Sequence, residues 1–336
     1  MDGRISTYAF SLSMISKNSR LQQQLGQVQE QLATGVKSAT LDGYGVDNLR
    51  LQNSRISISS INSYVFNIES ATSRIRQMTL GVQEIDSQVD IVLGALALTP
   101  EEGDIDITNL KNLANNAKDI IQDILNQKVG DDYLFSGSDV NAKPLPNPES
   151  LTARVQLQMT SFLDGTNDAD TFVANIDTYT DSQVGFSLGV QSSSQLYVRA
   201  DDNFEVDYTI KASDQGFQDI LIGLEALSEI EFPDPATDLA TRDDFYKITT
   251  AMFKKIQGGV EEIRRYEIKL ASAEASIGRK LEQHKTDRGF LQTTVENIQA
   301  IDPAEAIIRF QSLQTNLEAA FQATSIIGSL SLARLL

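Results

Sequence analysis

The chain lacks most of the residues on which enzyme chemistry depends. Its 336 residues contain no cysteine, no tryptophan and a single histidine, His284. The absence of cysteine excludes disulfides, thiol nucleophiles and cysteine-based zinc sites, and one histidine cannot form a multi-histidine metal centre. No phosphate-cradling glycine motif opens a helix. The sequence therefore predicts that the protein is not an enzyme and holds no cofactor.

Positive charge is also scarce. The 28 Lys and Arg residues face 46 Asp and Glu residues, which gives a formal charge of -18 and a pI near 4.5. Such a charge repels phosphate backbones and anionic lipids, so nucleic acid and membrane surfaces are poor partners. No apolar stretch approaches the roughly 20 residues that span a bilayer, and residues 1–10 carry no apolar signal segment. We expect a soluble chain without a cleaved signal peptide.

The single histidine is the first of the remaining candidates for chemistry. It lies among Glu282, Lys285, Asp287 and Arg288, and no nucleophile with a supporting base is apparent nearby. This setting is more typical of a solvated surface side chain than of a catalytic one.

Clustered carboxylates are the other candidates. Asp164, Asp168 and Asp170 around Gly165 suggest a calcium loop, but their spacing departs from the EF-hand pattern and the glutamate at its twelfth position is absent. Adjacent pairs such as 131–132 and 201–202 alternate in direction and are typical of turns rather than of glycosidase carboxylates. We therefore predict no metal site and no catalytic residues.

The first 130 residues show helical periodicity. Leu21, Leu25, Val28 and Leu32 recur at steps of four, three and four, which is the stripe of a helix that packs against a partner helix. A second helix is predicted from Asp47 to Leu98, before Pro100, and a third from Ile107 to Val129. The second helix is too long for one globule, which indicates a coiled coil or a rod-like bundle.

Helical periodicity returns after residue 210. Helices are predicted over Gly216–Ile230 and from Thr241 to Ala300, on either side of the breaker Phe232-Pro233-Asp234-Pro235. Asp302 and Pro303 are suited to be the N-cap and first residue of a last helix. The apolar positions of that helix are Phe310, Leu313, Leu317, Ala320, Thr324 and Ile327.

Between these helical halves the apolar period falls to two. Val155, Leu157 and Met159 alternate with polar residues, as do Phe186, Leu188 and Val190, and both patterns predict strands. The runs at 196–200 and 204–208, separated by Asp201-Asp202-Asn203, predict a hairpin. Residues 131–206 carry 12 acidic and three basic side chains, or half of the net charge of the chain, which indicates a water-facing insert.

The predicted fold class is thus α+β, with a long helical coiled-coil and rod bundle formed by both termini and a central β-rich insert domain. Residues 1–40 and 303–336 are assigned to a terminal coiled-coil domain. Residues 41–130 and 210–302 are assigned to a helical rod domain, and residues 131–209 to a β-rich outer domain.

Both ends of this layout resemble a known superfamily. Arg4-Ile5-Ser6-Thr7 and Gln31-Leu32-Ala33-Thr34-Gly35-Val36-Lys37 resemble the N-terminal arm of the flagellin superfamily. The stretch from Asp302 to Leu336, which ends with Ser329-Leu330-Ser331-Leu332 and four further residues, resembles the matching C-terminal arm. Within the superfamily, Tyr133-Leu134-Phe135-Ser136-Gly137-Ser138 and the modest length look most like the hook-filament junction proteins. The last four residues look more like a flagellin ending.

The resemblance implies a structural subunit that is exported unfolded by the flagellar type III apparatus and then self-associates in a helical assembly. It also implies contacts with another hook-associated protein, with flagellin and with an export chaperone. The terminal stripes would form the assembly interface, for which we select Ile5, Leu21, Leu25, Val28, Leu32, Phe310, Leu313, Leu317, Phe321, Ile327, Leu330 and Leu332.

Three alternatives remain open at the level of sequence. Flagellin itself, the filament subunit, would have the same layout. An intracellular coiled-coil scaffold would also lack a signal peptide. A cell-surface binding protein, for example for polysaccharide, would place its function in the aromatic insert.

Overall fold

The structure is a computed structural model. It describes the backbone of residues 2–97 and 106–333, and the side chains of residues 9, 12–96 and 106–326. The chain divides into two compact units, which are treated separately below. Unit 1 comprises Met1–Asn62 and Lys285–Leu336, and unit 2 comprises Ser63–His284.

Unit 1 contains the two terminal helices, α1 (Asp2–Thr34) and α10 (Pro303–Ala333). It also contains a 3-10 helix (Leu41–Asp47), the start of α2 (Asn48–Ala97) and the end of α9 (Arg242–Gln299). The predicted helices over 47–98 and 241–300 are therefore confirmed to within one residue at each described end. Asp302 begins α10 as predicted, because its Oδ1 accepts the Ala304 N–H at 2.8 Å.

A small β-bridge within unit 1 follows α1 and precedes α10. Gly35 adopts a left-handed φ of 73°, which ends α1, and Val36 then pairs antiparallel with Ala300. The Lys37 N–H donates to the Gln299 carbonyl at 2.8 Å, and the Ile301 N–H donates to the Gly35 carbonyl at 3.1 Å. Since α1 ends at this bridge and α10 starts just beyond it, the two helices pack along each other in antiparallel orientation.

Unit 2 is built on α2 and α9, which also run antiparallel within it. Arg264 forms ion pairs with Asp86 and Asp90 at 3.7 and 3.9 Å, and Arg76 pairs with Glu274 at 2.7 Å. Buried residues of α2 recur at steps of three and four, as in a coiled-coil seam; they are Ile68, Ala71, Ile75, Met78, Val82, Ile85, Val89, Val92 and Leu96.

The rest of unit 2 consists of shorter elements that continue this core. The helices are α3 (Ile107–Leu125), α4 (Glu149–Leu163), α5 (Ala169–Asp177), α6 (Asp181–Val184), α7 (Leu188–Ser192) and α8 (Gln215–Glu229). The strands are β1 (Lys128–Val129), β2 (Asp132–Tyr133), β3 (Tyr197–Asp201) and β4 (Phe204–Asp207). The predicted third helix therefore ends four residues early, at Leu125, and the last residues of the predicted helix form β1 instead.

The predicted β-rich insert is wrong, because residues 131–209 contain four helices, α4 to α7, and only short antiparallel strands. Val155 and Met159 lie on α4, where a spacing of four puts both on one buried face, while Leu157 between them is 65% exposed. Leu188 and Val190 likewise lie on α7, which Ser187 caps by accepting the Val190 N–H.

The predicted hairpin, in contrast, is confirmed. Strands β3 and β4 pair antiparallel with Val198 opposite Val206, and Asp202 and Asn203 form the turn. Alternating side chains are buried on β3, namely Val198 and Ala200. The expected register holds at Val198–Val206, but a register shift between Arg199 and Asp201 then pairs Asp201, rather than Ala200, with Phe204.

Helix α8 approaches α9 closely at glycine positions. A Cβ atom on Gly223 would lie 2.4 Å from the Ile256 Cγ1, and a Cβ on Gly259 would lie 2.7 Å from the Gly216 carbonyl oxygen. These distances are below van der Waals contact, so side chains larger than hydrogen are excluded there. The glycines allow α8, whose residues are almost all buried, to occupy the middle of unit 2.

Candidate assembly surface

The terminal helices form a narrow apolar seam in unit 1. On α1 the less exposed residues follow steps of four and three; they are Met14, Asn18, Leu21, Leu25, Val28 and Leu32. On α10 the corresponding residues are Ala306, Phe310, Leu313, Leu317 and Ala320. Among the seam residues whose side chains the structure describes, only Val28 and Ala306 are fully buried, at 4% and 6% exposure. A two-helix seam therefore leaves most of its apolar residues half-exposed to solvent.

The structure places part of the selected interface residues in this seam. Those that lie in the stripe are Leu21, Leu25, Val28, Leu32, Phe310, Leu313 and Leu317. Phe321 follows one position after the stripe and is 49% exposed. The side chains of Ile5, Ile327, Leu330 and Leu332 lie outside the described residues. The assembly role of all twelve stays a prediction.

The seam also holds one polar residue that sequence reasoning passed over. Asn18 occupies a stripe position, and its Oδ1 is buried without a hydrogen-bond partner among the described residues. An amide in an apolar seam costs stability and can select one register or one partner. The sequence feature that could have placed Asn18 in the seam is its heptad position, three residues before Leu21.

Large apolar side chains also point away from the seam. On the terminal helices they are Leu12, Ile15, Ile307, Ile308, Phe321 and Ile326, which are between 46% and 67% exposed. Single exposed apolar residues are ordinary in a monomer, but a pair of helices with apolar residues on several faces is typical of an element that packs against more than one neighbour.

The two units differ sharply in charge. Unit 1 has 10 Lys and Arg against 9 Asp and Glu, whereas unit 2 has 18 against 37. Unit 1 therefore has a formal charge of +1, and unit 2 carries -19. Copies of unit 1 can approach each other without the repulsion that copies of unit 2 experience.

A groove lies on the same unit, beside the start of α2. It has a volume of about 390 Å³ and is lined by Val46, Leu49, Arg50, Asn53, Ser54, Ser57 and Leu291. Val46 is 98% exposed and Leu49 is 67% exposed. Apolar side chains and small serines therefore border a cleft that could accept a further helix.

Unit 2 places its single histidine in a role that the sequence did not predict. His284 is only 4% exposed, so the expectation of a solvated surface side chain is wrong. Its Nε2 donates to the carbonyl oxygen of Ala200 at 2.7 Å, and its ring stacks on Tyr64 with centroids 5.5 Å apart. Tyr64 in turn donates to the Asp202 Oδ1 at 2.6 Å, which raises the pKa of the Tyr64 hydroxyl. These contacts fix the hairpin tip to the long helices. The sequence feature that could have predicted the burial of His284 is its position seven residues after Ile277, which is buried on the same helix.

A buried ion pair joins α3 and α8. The Lys118 Nζ lies 3.2 Å from the Glu225 Oε2, and the side chains are 10% and 0% exposed. Burial raises the pKa of the Glu225 carboxyl, and the nearby charge of Lys118 partly offsets that effect. The Asn115 Oδ1 accepts a further hydrogen bond from Lys118 at 3.0 Å. The pair is buried between two packed helices, which fits a structural role.

The carboxylates around Gly165 serve local structure. The Asp164 Oδ1 accepts the Thr166 N–H at 2.8 Å, and Asp168 caps α5 by accepting the Thr171 N–H at 2.8 Å. Hydrogen bonds from these threonines lower the pKa of both carboxyls. Among the described residues no group of three or more His, Asp or Glu side chains is placed to hold a metal ion.

Arg74 anchors the loop that contains the motif at 133–138. Its Nη2 donates to the carbonyl oxygens of Tyr133 and Leu134 at 2.6 and 2.9 Å. Burial lowers the pKa of the Arg74 guanidinium. Phe135, directly after these carbonyls, is fully buried and packs edge-on against Phe217. The motif therefore holds the loop after β2 against the helical core.

None of the helices, within the residues that the structure describes, has the length and apolar character required to cross a membrane.

Comparisons with known proteins bear on the fold. No family model matches the sequence, and no curated protein matches it. A crystal structure of FlgL from Bacillus cereus aligns over 75% of this chain and 98% of its own at 10% identity, but its TM-score of 0.37 is too low to support an argument. A solved structure from Vibrio parahaemolyticus, of a protein provisionally assigned as a flagellar hook-associated protein, aligns with a TM-score of 0.54 at 11% identity, over 75% of this chain and 97% of that one. This chain is therefore similar in fold to that Vibrio protein.

Proposed function

We propose that this protein is a structural subunit of the bacterial flagellum, namely the junction protein between hook and filament, hook-associated protein 3. The observation that carries the proposal is the character of unit 1: it is nearly neutral, and its terminal helices expose apolar residues beyond the seam that they share. Similarity in fold to a protein assigned as hook-associated supports it, as do the flagellin-like sequences at both ends.

The mechanism is mechanical rather than catalytic. A pair of arms that buries little surface alone gains stability when neighbouring copies cover Phe321, Ile308 and the half-exposed stripe. Heterologous contacts between identical subunits then close into a ring or continue as a helix. Unit 2, with its charge of -19, keeps contact with water.

The proposed partners are further copies of this chain, another hook-associated protein on the hook side and flagellin on the filament side. An export chaperone would hold the chain before passage through the type III apparatus. A chain without cysteine has no disulfide to block unfolded export.

Immunogold labelling of isolated flagella tests the proposal. A band confined to the boundary between hook and filament is the expected result. Labelling along the whole filament would identify a flagellin instead, and labelling that stays inside the cell would identify a scaffold. In cells that lack the protein, hooks without filaments are expected, and the wild-type gene should restore filaments.

A further inference from the structure

The groove of unit 1 contains a cation without a counter-charge. Arg50, Asn53 and Ser57 follow one another at intervals of three and four residues, so they lie on one exposed face at the start of α2. Val46, in the 3-10 helix that precedes α2, is exposed beside them and lines the same groove. Within the part of the chain that the structure describes, the Arg50 guanidinium has no hydrogen bond and no ion pair. An exposed guanidinium beside an apolar cleft is suited to bind a carboxylate that arrives with an apolar surface.

Unit 2 presents a line of the same spacing with the opposite charge. Leu80, Glu84, Ser87 and Ile91 also follow at intervals of four, three and four, farther along α2, and all four are exposed. Leu80 is 59% exposed and Ile91 is 51% exposed. The Glu84 Oε1 accepts a hydrogen bond from Gln88 at 2.7 Å, and no cation among the described residues lies within ion-pair distance of this carboxylate.

We propose that the groove at Val46–Ser57 in one copy receives the line Leu80–Ile91 of a second copy, with the two helices parallel. In that orientation Val46 meets Leu80, Arg50 meets Glu84 and Asn53 meets Ser87. Ser57 meets Ile91, which also reaches Leu291 at the edge of the groove. This inference rests on the proposed function, since it assumes that copies of the chain assemble.

Matching charge favours a second copy over an unrelated helix. An antiparallel arrangement of the same two lines would place Arg50 opposite Ser87 and would leave Val46 opposite Ile91. The parallel arrangement instead pairs the one cation with the one carboxylate, at the same distance from the apolar residue that starts each line. Small serines at Ser54, Ser57 and Ser87 allow the two backbones to approach closely.

The contact has a geometric consequence. It uses different surfaces on the two copies, so it is heterologous and repeats from copy to copy.

Cysteine cross-linking tests the contact directly, because the chain contains no native cysteine. We would make the double variant Asn53→Cys with Ser87→Cys and oxidise the assembled protein. The two positions are 34 residues apart on helix α2, so the two thiols of one chain cannot form a disulfide with each other. A ladder of covalent multimers is expected. The matched control, Arg55→Cys with Ser87→Cys, keeps both thiols exposed but moves one to another face of α2, and should give monomers.

Charge reversal provides a second test, which uses several variants and therefore does not depend on the folding of any single one. Arg50→Glu and Glu84→Arg should each lower the assembled fraction by about tenfold or more, because each places like charges in contact. The double reversal should restore assembly to within about threefold of wild type. Arg55→Glu, a control of equal charge change on the same helix, should leave assembly unchanged.

The outcomes separate this inference from the proposed function. Assembled wild-type protein whose Asn53→Cys, Ser87→Cys variant assembles without a covalent ladder would overturn the contact and leave the flagellar proposal intact. A protein that never self-associates would overturn both. If a different acidic protein bound tightly to the groove and no covalent ladder formed between copies, the occupant of the groove would be that protein. This outcome would also overturn the inference.

Discussion

The Nε2 atom of His284 lies 2.7 Å from the carbonyl oxygen of Ala200, which joins α9 to the tip of the β3–β4 hairpin. A carbonyl oxygen only accepts hydrogen bonds, so Nε2 carries the proton of this contact and donates it. The same ring is buried and stacks on Tyr64. His284 therefore contributes to the fold of unit 2 by packing and by one directional hydrogen bond.

Replacement of this histidine tests that role. We expect His284→Leu to lower the free energy of unfolding by about 1–3 kcal/mol, because the Ala200 carbonyl would lose its partner in a buried site. Thermal or urea unfolding measures the effect. The exposed neighbour Gln283 supplies the control, since Gln283→Ala should change the stability by less than about 0.5 kcal/mol. Equal stability of His284→Leu and wild type would contradict the assigned bond.

The buried pair of Lys118 and Glu225 predicts a dependence of stability on pH. The folded-state pKa of Glu225 is raised above its ordinary value of 4.5 by burial. The folded chain therefore holds that proton more tightly than the unfolded chain, so the stabilising contribution is complete at low pH and is lost as the pH rises from 4.5 through the folded-state pKa.

Glu225→Gln removes this titration. Over the pH range just above 4.5, wild type should lose free energy of unfolding relative to the variant, and the difference should be constant at higher pH. Urea unfolding at a series of pH values checks this, with Glu231→Gln as an exposed control. Lys118→Met should be more harmful, by about 3–5 kcal/mol at neutral pH, because it leaves a buried carboxylate unpaired. A difference between Glu225→Gln and wild type that did not vary with pH would show that the carboxyl is not perturbed.

The glycine contacts between α8 and α9 give a third prediction. Gly223→Val should destabilise unit 2 by about 1–3 kcal/mol, because its Cβ would lie 2.4 Å from the Ile256 Cγ1. Gly258 on α9 provides the matched control, since a Cβ there would meet nothing within 4 Å. Gly258→Ala should be neutral or stabilising by up to about 1 kcal/mol, because alanine favours a helix interior. Both are measured by the midpoint of thermal unfolding, and the reverse order of the two variants would refute the close approach.

A fourth prediction separates assembly from folding. Leu317 is half-buried in the seam and Phe321 is 49% exposed beside it. Replacing both with Asp should leave the unfolding of unit 2 within about 0.5 kcal/mol of wild type, because neither residue belongs to its core. Assembly should fail, since each carboxylate would be desolvated without a partner.

Sedimentation of assembled protein and motility of cells measure the loss. Gln314→Asp, at an exposed position of the same helix, is the control that should still assemble. Normal motility of the double variant, or a large fall in the unfolding midpoint of unit 2, would mean that the stripe is ordinary intramolecular core.

The long helices could be predicted from the sequence because their signal extends over many turns. The apolar steps of three and four between Ile68 and Val92 allow no strand reading, and Pro303 and Gly35 mark the helix ends by their own backbone geometry. The β3–β4 hairpin was predictable because a polar turn separates two alternating runs.

The insert was not predictable in the same way, because its elements are short. Val155, Leu157 and Met159 alternate over only five residues, and a window of that length fits a strand as well as one face of a helix. The close approach of Gly223 to Ile256, the burial of His284 and the cleft beside Arg50 each depend on a partner distant in sequence. Local periodicity carries no information about such partners.

The amide oxygen of Asn18, which has no hydrogen-bond partner among the described residues, bears on how the terminal helices open. Burial of that oxygen makes the α1–α10 seam locally weak at one position, with the apolar residues Leu21 to Leu32 on the side that leads to the Val36–Ala300 bridge. Backbone amides before Asn18 should therefore exchange with solvent through a local opening of low free energy, whereas those between Leu21 and Leu32 should need a larger unfolding event. Helix α1 would then consist of a segment from Leu21 to Leu32 that stays packed on α10 and a segment before Asn18 that opens more easily. The second segment would be the first to pack against a new partner.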